Sequence, residues 1–91
     1  MADSSQHFLE LVYILHASAM QAMGKFKNPV TDKVERNLEQ ASQSIDMLIM
    51  LRDKTSGNLS SQENSVISAM ISELQLNFVD ESNKDKNGTI N

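Results

Sequence analysis

Residues 45–63, IDMLIMLRDKTSGNLSSQE, constrain the fold more than any other stretch. Val34, Leu38, Ala41, Ile45 and Leu48 recur at alternating steps of four and three, the spacing of one helical face. The pattern runs through Leu51 and then meets Arg52, Asp53, Lys54, Thr55, Ser56 and Gly57. Gly57 has no Cβ to clash in a left-handed backbone conformation, which suits a position just past a helix end. Arg52 and Lys54 sit where cations complement the unpaired carbonyls of the last turn. Ser60 and Glu63 then have capping-box spacing, with the hydroxyl serving one backbone N–H and the carboxylate another. Leu59, just before the cap, is placed to pack inward. The chain therefore reverses within a few residues and makes an antiparallel helical hairpin.

The first element reads helical from His7 through Met23, with Asp3 and Gln6 at capping-box spacing and Gly24 as the stop. Phe8, Leu11, Val12, Leu15, Ala19 and Met23 make one face. Leu9, Tyr13, Ile14 and Met20 extend the apolar surface well beyond it. Residues 25–30, KFKNPV, form the connection, because Pro29 is excluded from a helix interior and disfavours helix at Asn28. The second helix is expected from Asp32 to Thr55, about 36 Å long, capped by Thr31 or Asn28 and supported early by Asp32 and Arg36 at i,i+4. The third is expected from Ser61 to Phe78, with a stripe of Val66, Ile67, Met70, Ile71, Leu74 and Phe78. The fold class is all-α: three helices, the second and third an antiparallel hairpin, in one domain over residues 1–79. Residues 80–91, DESNKDKNGTIN, are polar and without period, and read as a disordered tail.

Helices one and two carry more apolar surface than two neighbours each can cover. With 91 residues, one modest core leaves a thin margin. Both points favour an oligomeric helical bundle, most simply a two-fold dimer. Leu9, Tyr13, Met20, Met47 and Met50 are the candidate interface. Six methionines also suit promiscuous peptide binding, although Met at helical spacing is more often core or subunit seam.

The net charge of −4 comes from 12 acidic and 8 basic residues. The basic residues form no stripe, and aromatics are few, so nucleic-acid binding is disfavoured. Without cysteine there is neither a disulfide framework nor a thiolate zinc site. The start of the chain lacks the basic region of a secretion signal. The most apolar segment, residues 8–23, is broken by Glu10, His16 and Gln21 and is too short and polar to span a membrane. The expected location is the cytoplasm.

Candidate sites are sparse. Asp46 inside an apolar run is either a ligand group or an exposed acid, and structural pairing is the commoner cause of such acids. Lys54, Thr55, Gly57 and Asn58 gather polar groups beside a helix N-terminus, where an anion can bind, yet a tight helix–helix stop needs the same residues. His7 and His16 lack the i,i+4 spacing of a helical metal pair, and with no Cys a metal site is disfavoured. No Ser has a nucleophile-elbow setting, and no cofactor motif is present. An enzyme is not expected, because His, Cys and acid groups do not converge. The favoured reading is a small interaction or scaffold protein working through self-association and a protein partner. The alternative is a small-ligand-binding protein or enzyme using Asp46 and residues 54–58.

The run I-D-M-L-I-M-L-R-D-K-T-S-G-N-L-S-S-Q-E resembles the signature of a family of small bacterial proteins known only as a domain of unknown function. The upstream frame is similar as well: Phe8, Leu11-Val12, Leu15, Ala19, Met23-Gly24, Asn28-Pro29, Thr31, Leu38, Ala41 and Ile45-Asp46. The resemblance covers residues 7–79, and the K-T-x-G-N-L run at Lys54 to Leu59 is its most specific part. It implies a helical, bacterial, cytoplasmic protein and brings no activity and no catalytic residue. Ile49 departs from the family pattern, which favours a smaller or more polar residue there. The polar end after Val79 is particular to this chain.

Overall fold

A computed structural model describes residues 4–90, with side chains through residue 85. It contains α1 (Ser4–Ala22), α2 (Leu38–Lys54) and α3 (Ser61–Ile90), and no strand among the described residues. The expected cap Asp3 lies outside them.

α1 buries Val12, Ala19 and Ala22, with Met23 just past its end also buried and Phe8 and Leu15 packed against the core. Leu11, expected on the buried face, is 44% exposed. The helix ends in a Schellman arrangement. Lys25 N–H donates to Met20 carbonyl at 2.9 Å, Gly24 N–H donates to Gln21 carbonyl at 2.9 Å, and Gly24 has φ +81°.

The connection is longer than the sequence suggests. Residues 32–37 are not helical, and α2 begins at Leu38, capped by Asn37, whose side chain accepts from Gln40 N–H at 3.1 Å. Neither Thr31 nor Asn28 caps it. Three features hold the connection out of a helix. Asp32 takes φ +57°, Asn28 and Lys33 form an isolated antiparallel bridge, and Asn37 N–H donates to Ala22 carbonyl at 2.7 Å. The i,i+4 pair of Asp32 and Arg36 is not formed: Asp32 lies 3.9 Å from Lys27, and Arg36 turns to α3. Val34 is accordingly 59% exposed.

α2 buries Ala41, Ser44, Ile45 and Leu48, while Leu51 is partly buried against the core. α3 contributes Ile67, Ile71 and Leu74, with Val66, Met70 and Phe78 alongside. α3 does not stop at Phe78. It continues to Ile90, so the segment read as a disordered tail from residue 80 is helical through residue 90. The physical reason is at Glu81, which is only 7% exposed and takes Lys25 and Arg36 from the connection. Lys84 adds i,i+4 and i,i+3 pairs to Asp80 and Glu81.

α1 and α3 run parallel: His16 Nε2 bonds Glu73 at 3.1 Å and Lys25 Nζ bonds Glu81 at 2.7 Å, at sequence offsets of 57 and 56. α2 runs antiparallel between them in the chain. Ser18 and Ser44 hydroxyls meet at 3.3 Å across the α1–α2 seam.

Candidate functional site

The α2–α3 turn is built as a stop and restart. Thr55 Oγ1 donates to Leu51 carbonyl at 2.7 Å, and Thr55 N–H donates to the same carbonyl at 3.1 Å. Asn58 N–H donates to Thr55 carbonyl at 2.9 Å, closing a four-residue turn with Gly57 at φ +88° in its third position. Glu63 carboxylate then accepts from Ser60 N–H at 2.8 Å, and Ser60 Oγ accepts from Glu63 N–H at 3.1 Å, the reciprocal capping box. The Ser60 N–H bond holds the Glu63 carboxyl below its ordinary range, and the Ser5 hydroxyl of α1 adds to it. Leu59 packs against the core. Thr55, Gly57 and Asn58 are thus occupied in making the turn.

Asp46 and Lys54 are both exposed and lie eight positions apart on α2, about 12 Å along the axis. They do not converge. A depression of about 380 Å³ opens at the turn, lined by Arg52, Asp53, Gly57, Ser60, Ser61 and Asn64 among others, but neither Asp46 nor Lys54 lines it. Among the described residues no group of three or more His, Cys, Asp or Glu is placed to hold a metal ion. No helix there is long and apolar enough to cross a membrane.

The five apolar candidates fall on two seams. Leu9, Tyr13 and Met20 share a stripe of α1 with His16, and the His16–Glu73 bond places that stripe beside α3. Leu9 and Met20 are half-buried there and Tyr13 is 49% exposed. Met47 and Met50, each 50% exposed, lie on α2 away from α3. Met47 stands two positions from Ile45, about 200° around the helix, and Ile45 borders α3 residues Gln75, Phe78 and Val79. Beside the methionines, across the Ser18–Ser44 contact, come Leu11 and Ile14, at 44% and 64% exposure. Ile14 precedes Ser18 by four and Leu11 by seven, so all three share a stripe. The α1–α2 pair thus carries apolar groups on both faces: one is closed by α3, and the other presents Leu11, Ile14, Met47 and Met50.

Sequence periodicity places Leu11 on the core face and treats Ile14 as an extension of it. Only the Ser18–Ser44 pairing, a contact between distant residues, reveals that both border α2 on its outer side. The Glu81 cluster has a local signal only in the spacing of Asp80, Glu81 and Lys84, and none for Lys25 and Arg36. Its carboxylate receives Lys25 at 2.7 Å, Lys84 at 2.9 Å and Arg36 Nε at 3.1 Å. Lys25 foremost, then Lys84, holds the Glu81 carboxyl at about 2, well below the ordinary 4.5. Arg36 also pairs with Asp85. With three cations and the acids Glu81, Asp80 and Asp85, the cluster is balanced and reads as a clasp.

Neither a curated protein nor a solved structure matches this chain. Residues 5–81, which take in nearly all of α1, all of α2, the turn after it and α3 as far as Glu81, match the family described as "Domain of unknown function (DUF1844)", and the chain belongs to that family.

Proposed function

We propose that this chain is a small self-associating protein that works by presenting helical surface to a protein partner, in the cytoplasm of a bacterium, and not by catalysis. The observation that carries the reading is the outer face of the α1–α2 pair. Ile14 is 64% exposed and Met47 and Met50 are each 50% exposed, in a chain whose own third helix already occupies the opposite face. A contiguous apolar surface of this kind on a small soluble fold marks an interaction site. Methionine suits it, because its unbranched thioether side chain repacks against different neighbours.

Sedimentation velocity over a micromolar concentration series tests the reading. A concentration-dependent shift to at least twice the 10.1 kDa chain mass is expected, whereas a constant monomer would overturn it.

A further inference from the structure

We infer that the outer face of α2 is the centre of a two-fold dimer, in which α2 packs antiparallel against α2 of a second copy, with its axis passing between Asp46 and Met47. The inference rests on the self-association reading and specifies its geometry.

The outer stripe of α2 is Glu39, Gln43, Met47, Met50 and Lys54, spaced four, four, three and four, and every member is exposed. A two-fold axis between positions 46 and 47 pairs residues whose numbers sum to 93. It sets Glu39 against Lys54 of the second copy, twice, and Gln43 against Met50 of the second copy, twice. About that axis four of the five members meet a member of the second copy's stripe, Met47 falls opposite Asp46 of the second copy, and the two ends are opposite in charge. A like-charged stripe would repel itself in this arrangement. This one is self-complementary, as an isologous interface requires. Among the described residues neither Glu39 nor Lys54 has an ion-pair partner within its own chain, nor has Lys33 of the connection, whereas Arg36, Arg52, Lys25, Lys27 and Lys84 each have one. The antiparallel alignment also opposes the two α2 dipoles.

The same axis suits α1. Ser18 is level with Ser44, so position 46.5 on α2 is level with 15.5 on α1 in the antiparallel pair. Position 14 then faces position 17 of the second copy, Ile14 against Ala17, and Glu10 faces Gln21. No like charges meet there, and the α1–α2 pairs of the two copies close a four-helix layer with α3 on each outer side. One element opposes the assembly: the two Asp46 side chains lie on the same rim, close to the axis.

The test is a charge swap read by sedimentation equilibrium at low salt, where rim pairs are least screened. Glu39→Lys alone and Lys54→Glu alone each place like charges together twice, and each is expected to weaken the dimer roughly tenfold. Glu39→Lys with Lys54→Glu in one chain restores the pairing and returns the affinity to within roughly threefold of the parent. A purely intrachain effect gives the opposite order, because both substitutions oppose the helix dipole and the double variant would be the worst. Asp46→Asn is expected to tighten the dimer. A dimer indifferent to all four variants, or weakest in the double variant with circular dichroism unchanged, leaves self-association standing and overturns this face. A monomer at every concentration in the parent overturns both.

Discussion

Arg36 holds Glu81 by two routes across 45 positions of sequence: its Nε donates to the carboxylate at 3.1 Å, and its Nη2 donates to the backbone carbonyl at 2.6 Å. The connection between α1 and α2 has little apolar anchorage, with Phe26 48%, Val30 91% and Val34 59% exposed. Its attachment to α3 is therefore largely electrostatic. Glu81→Gln keeps the shape and removes the charge, and a charged hydrogen bond lost there costs roughly 1–3 kcal/mol. Denaturant unfolding should show that loss. Amide exchange should quicken from residue 33 to 37 and beyond residue 80 while the Leu48 and Leu74 amides stay protected.

The same carboxylate sets an acid limit. Folded Glu81 titrates at about 2 and its ordinary value is 4.5, so as pH falls the unfolded chain takes up its proton first. Stability from the cluster is present above about pH 4.5 and is lost as pH falls towards 2. Urea midpoints of the parent should decline over that window, and those of Glu81→Gln should decline less. Parallel curves would remove Glu81 as the cause.

Gly57 stands at φ +88°, and a Cβ there would meet nothing within 4 Å. The cost of a side chain is therefore backbone strain alone. Gly57→Val should lose about 1–3 kcal/mol, and Gly57→Asn clearly less, since Asn tolerates the left-handed region. Equal losses would point to a steric cause instead.

Leu48 is fully buried and Asp53 is exposed, 3.6 Å from Arg52. Leu48→Ala should cost roughly 2–5 kcal/mol and Asp53→Ala less than about 0.5 kcal/mol. Thermal or denaturant unfolding of the two variants checks the order, and a severe Asp53→Ala would mean that this acid is not merely a rim group.

The hairpin was legible because its signals are local. Gly57, Ser60 and Glu63 each act within three or four positions, and the structure contains the positive φ and both capping bonds the spacing requires. Ile45 and Leu48 inside and Asp46 and Asp53 outside follow from a 3.6-residue period in the same way. The start of α2 was not legible. Asp32 turns left-handed within a local turn closed by Asn28, and the Asn37 cap is set by the bond from its N–H to the Ala22 carbonyl beside Arg36, which reaches α3. Nor was the end of α3, where a run of charges that looks solvated is held by Lys25 and Arg36 from another element. The candidate site divides likewise. The roles of Thr55, Gly57 and Asn58 in the turn were readable, whereas the separation of Tyr13 from Met47 onto different seams needed the His16–Glu73 and Ser18–Ser44 pairings.

On the proposed reading the uncovered α1–α2 face draws copies of this chain together, and sedimentation equilibrium of the parent beside Ile14→Asp distinguishes that from a monomer. A dimer of the 10.1 kDa chain is expected at micromolar concentration for the parent. A folded monomer, by mass and by circular dichroism, is expected for the variant. A parent that stays monomeric, or an Ile14→Asp variant that dimerises as tightly as the parent, would contradict it.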